Sequence, residues 1–507
     1  MLALVAGAAS SAAGNATAST SGSAAVGQLI YVSSTEGGIT AYDTTTESVV
    51  ATIPTEGVAT DVAFSPDGGT VYATEQASDL AVINVATNTV VRRIPVGPNP
   101  TGVAISADGG TAYVANQDGD SVSVVNTASG TVTATIPVGW GAEDVAITPD
   151  GGNVYVTNTL DGTVSVISTA TDAVWATIPI GDDTQPGYLA FSPDGRTAFV
   201  TDTEAGTLSV IDTGTRTVTA TVPAGSNPFG LALSANGATV YVADMSGGVT
   251  VIDTADDTVA ATIPVTGAPT QVAVSADGGS VYVTGFVAAG DSVTVIDAAR
   301  NTITGRLSGI SYGWGVAASP LPRVTKLSPP VGAPAGGNQV TITGVGIGDA
   351  TGVTFGGVPA SSFTAVSPDG IEAVAPSGAV GLVDVTVTTP RGTSPVNPAD
   401  AYDYLGVPTV GKVSPFTGPA AGGAVVTVDG TGFAGATTVR FGSNAAAIRS
   451  ETPARLVVVA PAGVARSIVD ITVTTPLGTS ATGVTDEYVY QDPVHAPPTI
   501  VPKGPIS

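Results

Sequence analysis

Residues 144–178 read DVAITPDGGNVYVTNTLDGTVSVISTATDAVWATI, and this stretch decides the fold. It holds four short runs in which apolar residues alternate with polar ones, as Val154 and Val156 do. Turn residues separate the runs, for example Pro149-Asp150-Gly151-Gly152. Alternation with a period of two is typical of β-strands, and Pro, Asp and Gly are the residues that β-turns favour. The stretch therefore predicts four short antiparallel strands joined by tight turns.

A similar phrase recurs along the first 320 residues. Each copy opens on Val-Ala or Leu-Ala, and successive copies lie 41–44 residues apart. The opening dipeptides are Val62-Ala63, Val103-Ala104, Val145-Ala146, Leu189-Ala190, Leu231-Ala232, Val272-Ala273 and Val316-Ala317. Four strands in a unit of this length correspond to one blade of a β-propeller.

The two ends of this repeat are complementary. Residues 29–54 supply the last three strands of a unit, whereas residues 315–319 supply only a first strand. The C-terminal strand is therefore expected to complete the N-terminal blade. Such an exchange would close a ring of seven blades and remove the free sheet edges that invite aggregation.

A different repeat follows residue 322. Residues 323–405 align with residues 409–491 at an offset of 86, so that VDVTVTTP at 383–390 matches VDITVTTP at 469–476. Each copy has the length of a small sandwich of about seven strands. The fold class predicted for the chain is all-β, a seven-bladed β-propeller plus two C-terminal immunoglobulin-like β-sandwiches.

The N-terminal residues predict export. They carry no charge, begin with an apolar run from Leu2 to Ala9, and contain the small-residue sequence Ala16-Thr17-Ala18. These features are typical of the latter part of a secretory signal peptide, with a low-complexity leader as the alternative. The predicted segments are a signal-like leader (1–27), the propeller (28–320), two sandwiches (321–406 and 407–491) and a Pro-rich tail (492–507).

The chain is strongly acidic, with 41 Asp and Glu against 15 Lys and Arg and a net charge of -26. Nucleic-acid affinity comes largely from Lys and Arg at phosphates, so this charge argues against nucleic acid and anionic membrane surfaces as partners. Cysteine is absent and the single histidine is His495, which excludes disulfides, thiolate sites and imidazole chemistry in the folded segments. No apolar run reaches the roughly 20 residues of a transmembrane segment.

The propeller repeat resembles the YVTN family, through Val154–Asn158, Gly162–Ile167 and Ala176–Pro179 and their counterparts over roughly residues 28–320. That family includes surface-layer and secreted proteins, mostly without assigned catalysis. The two sandwiches resemble IPT/TIG immunoglobulin-like domains, through their Gly-Gly, Phe-Gly and Thr-Thr-Pro-x-Gly-Thr-Ser phrases. This second resemblance implies a spacer or adhesion role, because the DNA-binding members rely on basic loops and basic residues are few here.

Candidate binding residues fall at two places in each blade. In a propeller, the loop that leads into the innermost strand (the lead-in loop) and the turn between the second and third strands (the second turn) surround one mouth of the central channel. Aromatic rings beside carboxylates there suit a sugar or a cation. The alternative is that the rings pack between blades and the acids form turns. The ligand-binding candidates of the lead-in loops are Trp140, Glu143, Asp144, Tyr188, Phe229 and Trp314, with Tyr312 beside them. The second turns add Asp118, Asp120, Asp161, Asp202, Glu204, Asp244 and Asp291.

No catalytic residues and no cofactor are predicted. Residues 116–121 read NQDGDS, which is similar to part of a calcium loop but lacks the 12-residue frame and the distal Glu of an EF-hand. Calcium is therefore kept only as an alternative. The sequence shows no nucleophile elbow, phosphate loop or His-rich metal site.

The sequence favours a secreted, extracellular protein that binds a ligand or acts as a scaffold. Association with the cell wall is one option for its location. Its propeller face would contact a cell-wall glycan or a surface protein, and the sandwiches would act as a stalk or add contacts. Two alternatives stay open. One is a carboxylate-based lyase or glycosidase at the channel mouth that requires Glu143, Asp144 or Asp202. The other is a self-assembling surface-layer component.

Overall fold

The computed structural model describes residues 28–492 except 37, 45, 182–183, 288–291, 390 and 434. The predicted leader and nearly all of the predicted tail lie outside these residues. In the described residues between 29 and 318, the strands form seven four-stranded antiparallel sheets. One short 3-10 helix, Gln117–Gly119, lies in a second turn.

Each sheet contains an inner, a second, a third and an outer strand. The inner strands are Gly313–Ala318, Ala59–Phe64, Pro100–Ile105, Ala142–Ile147, Pro186–Phe191, Pro228–Leu233 and Pro269–Val274. The second strands are Leu29–Ser34, Thr70–Glu75, Thr111–Asn116, Asn153–Asn158, Thr197–Asp202, Thr239–Asp244 and Ser280–Gly285. The third strands are Ile39–Asp43, Asp79–Asn84, Ser121–Asn126, Thr163–Ser168, Thr207–Asp212, Gly248–Asp253 and Val293–Asp297. The outer strands are Ser48–Ile53, Thr89–Pro95, Thr131–Pro137, Ala173–Pro179, Thr217–Pro223, Thr258–Pro264 and Thr302–Leu307.

Neighbouring inner strands contact each other all the way round, so the sheets form the closed ring of a β-propeller. The strand Gly313–Ala318 pairs with Leu29–Ser34 in the first sheet, with Val316 opposite Val32. The Ser319 N–H continues this pairing by donating to the Leu29 carbonyl at 2.8 Å. The all-β fold class is confirmed, and the C-terminal strand completes the N-terminal sheet as predicted.

Burial differs between the strands of a blade. Alternation in the sequence predicts one buried face for each strand, and the outer strands follow this pattern. The second and third strands are buried on both faces, as in Val154–Thr157 and Val164–Ile167. The reason is that each blade is packed between two neighbours, and the apolar clusters combine residues of adjacent blades. Small polar residues on these strands therefore belong to the core.

Residues 323–491 form two modules with corresponding strands, except that two strands of the first, Val358–Pro359 and Ser362–Ser367, correspond to the single strand Asn444–Thr452 of the second. The strands of the first are Arg323–Ser328, Val331–Gly332, Gln339–Val345, Gly352–Phe355, Val358–Pro359, Ser362–Ser367, Gly370–Val374, Gly381–Thr389, Gly392–Thr393 and Ala401–Tyr404. The strands of the second are Thr409–Ser414, Thr417–Pro419, Val425–Thr431, Thr438–Phe441, Asn444–Thr452, Arg455–Val459, Ile468–Thr475, Gly478–Thr479 and Glu487–Gln491. The cores are equivalent: Phe355 packs on Tyr402 in the first and Phe441 on Tyr488 in the second.

Arg391 joins the first module to the propeller. Its guanidinium donates to the carbonyls of Gly68 (3.4 Å) and Gly346 (2.9 Å), and it pairs with Asp349 at 2.9 Å. Only 11% of the side chain is exposed. A cleft of about 890 Å³ lies beside it, lined by residues of both parts such as Tyr282 and Thr389. The second module has Leu477 at the position equivalent to Arg391.

We expect Arg391→Ala to loosen the first module from the propeller, because hydrogen bonds from a charged donor contribute about 1.5–3 kcal/mol each when buried. Small-angle scattering should show a larger radius of gyration, and proteases should cut the residues 320–322 faster. Leu477→Ala is the matched control and should change neither measurement at that junction. Identical scattering and cleavage for Arg391→Ala and the unaltered protein would contradict a bridging role for Arg391.

Candidate ligand site at the channel mouth

A repeated backbone hydrogen bond builds one face of the ring. In each blade, the residue that follows the second strand donates its N–H to a carbonyl of the lead-in loop. In the described residues the seven donor–acceptor pairs are Thr35–Tyr312, Gln76–Val58, Gln117–Asn99, Thr159–Gly141, Thr203–Gln185, Met245–Asn227 and Phe286–Ala268. Lead-in loops and second turns therefore share one face, as the sequence predicted, and this face surrounds the channel mouth.

The residue before each Val-Ala or Leu-Ala dipeptide holds an equivalent place on its inner strand. These residues are Asp61, Gly102, Asp144, Tyr188, Gly230, Gln271 and Gly315. A β-bulge falls here in each inner strand, as the register shift between Ala142 and Val145 shows. Glycine makes room for a neighbour's side chain, since a Cβ on Gly102 would lie 2.6 Å from Oδ1 of Asp144. Side chains of adjacent blades therefore interlock around the channel.

Two carboxylates of this set connect neighbouring blades. Asp61 accepts the Val103 N–H at 3.1 Å, and Asp144 accepts the Leu189 N–H at 2.9 Å. Burial raises the pKa of Asp61 to about 6 despite these bonds. Burial also raises the pKa of Asp144 well above its ordinary value, and the nearby charges of Asp61 and Glu143 act in the same direction. The surroundings of the Asp61 and Asp144 carboxyl groups thus favour the protonated form more than water does.

Glu143 lies next to Asp144 on the same inner strand and is partly exposed. Its carboxylate accepts a hydrogen bond from the Gln117 amide, whose oxygen in turn accepts a bond from Asn99 at 2.8 Å. Burial raises the pKa of Glu143 to about 7; the Gln117 bond opposes this and the charge of Asp61 adds to it. Glu143 is therefore a carboxyl that is both reachable from the mouth and able to exchange a proton near neutral pH.

Four aromatic rings line the other side of the mouth. The Tyr188 and Phe229 ring centroids lie 4.8 Å apart, those of Phe229 and Trp314 lie 5.5 Å apart, and those of Phe286 and Trp314 lie 5.2 Å apart. Phe229, Phe286 and Trp314 are partly exposed. The arrangement is a continuous arc of rings, each in tilted or edge-to-face contact with the next. We call Tyr188, Phe229, Phe286 and Trp314 the aromatic arc.

Tyr188 connects the aromatic arc with the carboxyl groups. Burial raises the pKa of its hydroxyl, and the charges of Glu143, Asp61 and Asp144 raise it further, while a hydrogen bond with the Trp314 side chain acts in the opposite direction. All three carboxyl groups are thus close enough to Tyr188 to act on it electrostatically. We call Asp61, Glu143 and Asp144 the acidic arc.

Comparison with known families settles the nature of the C-terminal modules. The IPT/TIG domain model matches residues 322–402 and again residues 408–488. Both C-terminal modules are IPT/TIG domains. The Choice-of-anchor I domain model matches residues 21–251, which cover much of the propeller, and this match points to an extracellular, cell-surface-anchored protein. The resemblance of the repeat to the YVTN family stays a prediction.

One solved structure supports the fold alone. A functionally unknown protein from Desulfotomaculum acetoxidans DSM 771 is 19% identical, with a TM-score of 0.52 over 58% of this chain and 99% of that one. Kuenenia stuttgartiensis hydrazine synthase is 21% identical, with a TM-score of 0.47 over 52% of this chain and 92% of that one. No curated protein matches the chain. Among the described residues, no helix is long and apolar enough to cross a membrane.

The structure brings together five of the six predicted site residues. Glu143 and Asp144 lie in the acidic arc, and Tyr188, Phe229 and Trp314 lie in the aromatic arc. Trp140 is separate: its side chain is 65% exposed, and no ring contact joins it to the arc in the described part of the chain. The site also contains three residues that the sequence analysis did not select, which are Asp61, Gln117 and Phe286.

Most of the acids predicted in the second turns have a local structural role. Asp120 accepts the Gly141 N–H, Asp161 the Trp140 N–H, Asp202 the Gln185 N–H and Asp244 the Asn227 N–H, all at 2.7–3.0 Å. These bonds fix the lead-in loops on the second turns. Two other candidates, Asp118 and Glu204, are exposed. The remaining one, Asp291, lies outside the described residues.

The loop considered for calcium is an ordinary connection between strands. Asn116 donates to the side chains of Ser121 and Ser123, and Asp120 holds the neighbouring lead-in loop. Within the described residues, no three His, Cys, Asp or Glu side chains are arranged to hold a metal ion.

Proposed function

We propose that this is an exported cell-surface protein whose channel mouth binds a wall glycan, with the IPT/TIG domains as a stalk or additional contacts. The observation that carries the proposal is the aromatic arc facing the acidic arc across the mouth. Ring faces provide apolar contact and carboxyl groups accept hydrogen bonds from hydroxyls, which together fix the orientation of a small polar ligand. The Choice-of-anchor I match supports a place at the cell surface.

The electrostatics of the mouth favour a ligand that donates hydrogen bonds. Every charged group that shifts the pKa of Asp61, Glu143, Asp144 or Tyr188 is itself acidic. A ligand with phosphate or carboxylate groups would meet repulsion there, whereas hydroxyl or amino groups of a sugar would find acceptors. This preference for hydrogen-bond donors over anionic groups agrees with a glycan that is neutral or carries amino groups.

We expect Trp314→Ala and Phe229→Ala each to weaken binding of a wall polysaccharide or soluble glycan about fivefold to about thirtyfold, because a partly desolvated aromatic contact is worth about 1–2 kcal/mol. Titration calorimetry against a panel of glycans and wall fractions, with and without calcium, would measure this. Trp175→Ala is the matched control, since Trp175 lies on an outer strand, 51% exposed, beneath Arg216.

The outcomes separate the open alternatives. Saturable binding that is lost in both mouth variants and kept in Trp175→Ala would support the proposal. Absence of binding to every glycan and wall fraction would contradict it and favour the self-assembling surface-layer alternative. Binding that is kept in the mouth variants would place the site elsewhere on the chain.

A carboxylate-based enzyme is the second candidate. It is favoured by the position of Glu143, a partly exposed carboxyl on an inner strand at the mouth, whose pKa burial raises to about 7. A general acid or base works best when its pKa lies near the operating pH. This candidate requires turnover of a bound glycan that disappears in Glu143→Gln. Asp202 has no part in it, because its carboxylate holds the Gln185 and Ala205 N–H groups of its own blade.

A further inference from the structure

Trp140 and Leu160 form an exposed apolar pair on the mouth face. Their exposed fractions are 65% and 73%, and the Leu160 N–H donates to the Trp140 carbonyl at 3.1 Å. The other two tryptophans have a packing partner: the Arg216 guanidinium lies over the Trp175 ring, which is 51% exposed, and Trp314 packs in the aromatic arc. Trp140 is thus the one indole that the described chain leaves without a ring or cation packed against it.

Hydrogen bonds fix the backbone that carries this exposed pair. The Trp140 N–H donates to Asp161 at 2.7 Å, and the Gly141 N–H donates to Asp120 of the preceding blade at 2.9 Å. The Thr159 N–H donates to the Gly141 carbonyl at 2.9 Å. Gly141 has a φ of +72°, which suits glycine and lets the loop fold over the Leu160 side chain. A ligand would meet a preformed surface and lose little conformational freedom in ordering it.

The place of Trp140 in the ring is opposite Trp314. Inner strands follow one another around the ring in chain order, and Trp314 belongs to the closing strand Gly313–Ala318. Trp140 precedes Ala142–Ile147, which is three strands from the closing strand in one direction and four in the other. Glu143 and Asp144 follow Trp140 and lie on that same inner strand. An aromatic contact therefore stands on each side of the mouth, and carboxyl groups adjoin the strand that follows Trp140.

We infer that Trp140 and Leu160 are a second contact point of the mouth, and that the ligand is an extended glycan chain crossing it rather than a single sugar or a short end. The inference rests on the proposed function. A chain laid across the mouth would stack on Trp140 at one side, donate hydroxyl hydrogen bonds to the acidic arc, and stack on Trp314 at the other. A ligand of one or two sugars would reach only one of the two aromatic contacts.

The test compares oligosaccharides of two and six sugars, using β-1,4-linked N-acetylglucosamine and β-1,4-linked glucose as the probes. In the unaltered protein the hexasaccharide should bind at least about tenfold more tightly than the disaccharide, because two contacts on one chain reinforce each other. Trp140→Ala should lower hexasaccharide affinity about fivefold and leave disaccharide affinity unchanged, the change expected from one aromatic contact. Trp314→Ala should weaken both probes, and Trp175→Ala neither.

A second readout reports contact directly. In a Trp175→Phe variant the tryptophans of the chain are Trp140 and Trp314, and the emission that is lost when Trp140→Phe is added belongs to Trp140. Its emission should shift to shorter wavelength on addition of the hexasaccharide and stay unchanged with the disaccharide. Equal affinity for the two lengths, or full hexasaccharide affinity in Trp140→Ala together with loss in Trp314→Ala, would overturn this inference and leave the proposed function intact. Failure of both probe series to bind would overturn the inference, whereas only the absence of binding to every glycan and wall fraction of the panel would overturn the proposed function as well.

Discussion

Replacement of Val316 by aspartate is expected to unfold the propeller under conditions in which the unaltered protein is folded. Val316 is 6% exposed on the closing strand and packs with Tyr42 and Leu307. An unpaired carboxylate in such a place costs more than about 4 kcal/mol, a large part of the stability of a domain. The closing strand also joins the two ends of the ring, so its loss would expose apolar faces of two further blades.

Tryptophan fluorescence during urea unfolding would measure this change in the propeller alone, because all three tryptophans (Trp140, Trp175 and Trp314) belong to it. Val50→Asp is the matched control. Val50 lies on the outer strand of the same blade and is 46% exposed, so the added charge stays in water and the unfolding free energy should change by less than about 0.5 kcal/mol. A normal urea midpoint for Val316→Asp would show that the closing strand does not hold the ring together.

Ring closure could be predicted because the sequence records it twice. The phrase around Val316-Ala317 ends where a second strand should begin, and residues 29–54 begin where a first strand should end. The position of each candidate residue within the repeat also distinguishes residues of the inner strand from residues of the loop. Glu143, Phe229 and Trp314 stand two places before their dipeptides, whereas Trp140 stands five places before its own. That difference separates a residue on the inner strand from one in the loop, and the structure places these side chains accordingly.

Asp61 shows what the sequence could not supply. It lies 82 residues before Glu143, and nothing around Val62-Ala63 marks it as functional. It joins the site because the ring brings equivalent positions together, and because Gly102 on the strand between leaves space for the Asp144 side chain. Whether the acidic arc and the aromatic arc face each other depends on the rotation from each blade to the next around the ring. No local sequence pattern encodes this rotation. Arg391 is a similar case, since its partner Gly68 is 323 residues away.

The stability of the propeller is expected to fall as the pH rises from about 4 to about 7. A carboxyl whose pKa is raised by folding binds its proton more tightly in the folded state, so it favours folding most when it is protonated. Raising the pKa of Asp61 from 3.8 to about 6 corresponds to about 3 kcal/mol. Glu143 shifts in the same direction, to about 7, and Asp144 more strongly still. The pH range over which stability falls therefore starts near the pKa values of the unfolded state and extends past pH 7.

We expect the free energy of unfolding, followed by tryptophan emission in urea, to be at least about 3 kcal/mol lower at pH 8 than at pH 4.5, because Glu143 and Asp144 add to the contribution of Asp61. An Asp61→Asn/Asp144→Asn variant keeps oxygen acceptors for the Val103 and Leu189 N–H groups but has no charge to bury. It should lose the part of this pH dependence that Asp61 and Asp144 contribute, keep a part that Glu143 contributes, and be more stable than the unaltered protein at pH 8.

A turn carboxylate whose pKa is lowered in the folded state provides a control, because its contribution to stability changes with pH in the opposite direction. The Ser275 hydroxyl and the Gly279 N–H lower the pKa of Asp277, so this group stabilises the fold above its unfolded pKa and loses that contribution as the pH falls below about 4. Asp277→Asn should therefore alter the acid side of the profile and leave the slope between pH 4.5 and 8 unchanged. The unaltered protein could instead be most stable at pH 8, with the Asp61→Asn/Asp144→Asn variant showing the same dependence of unfolding free energy on pH. That result would show that burial does not raise the pKa values of the acidic arc. Its carboxylates would then be ionised at neutral pH, and the mouth would favour a cationic ligand over a neutral one.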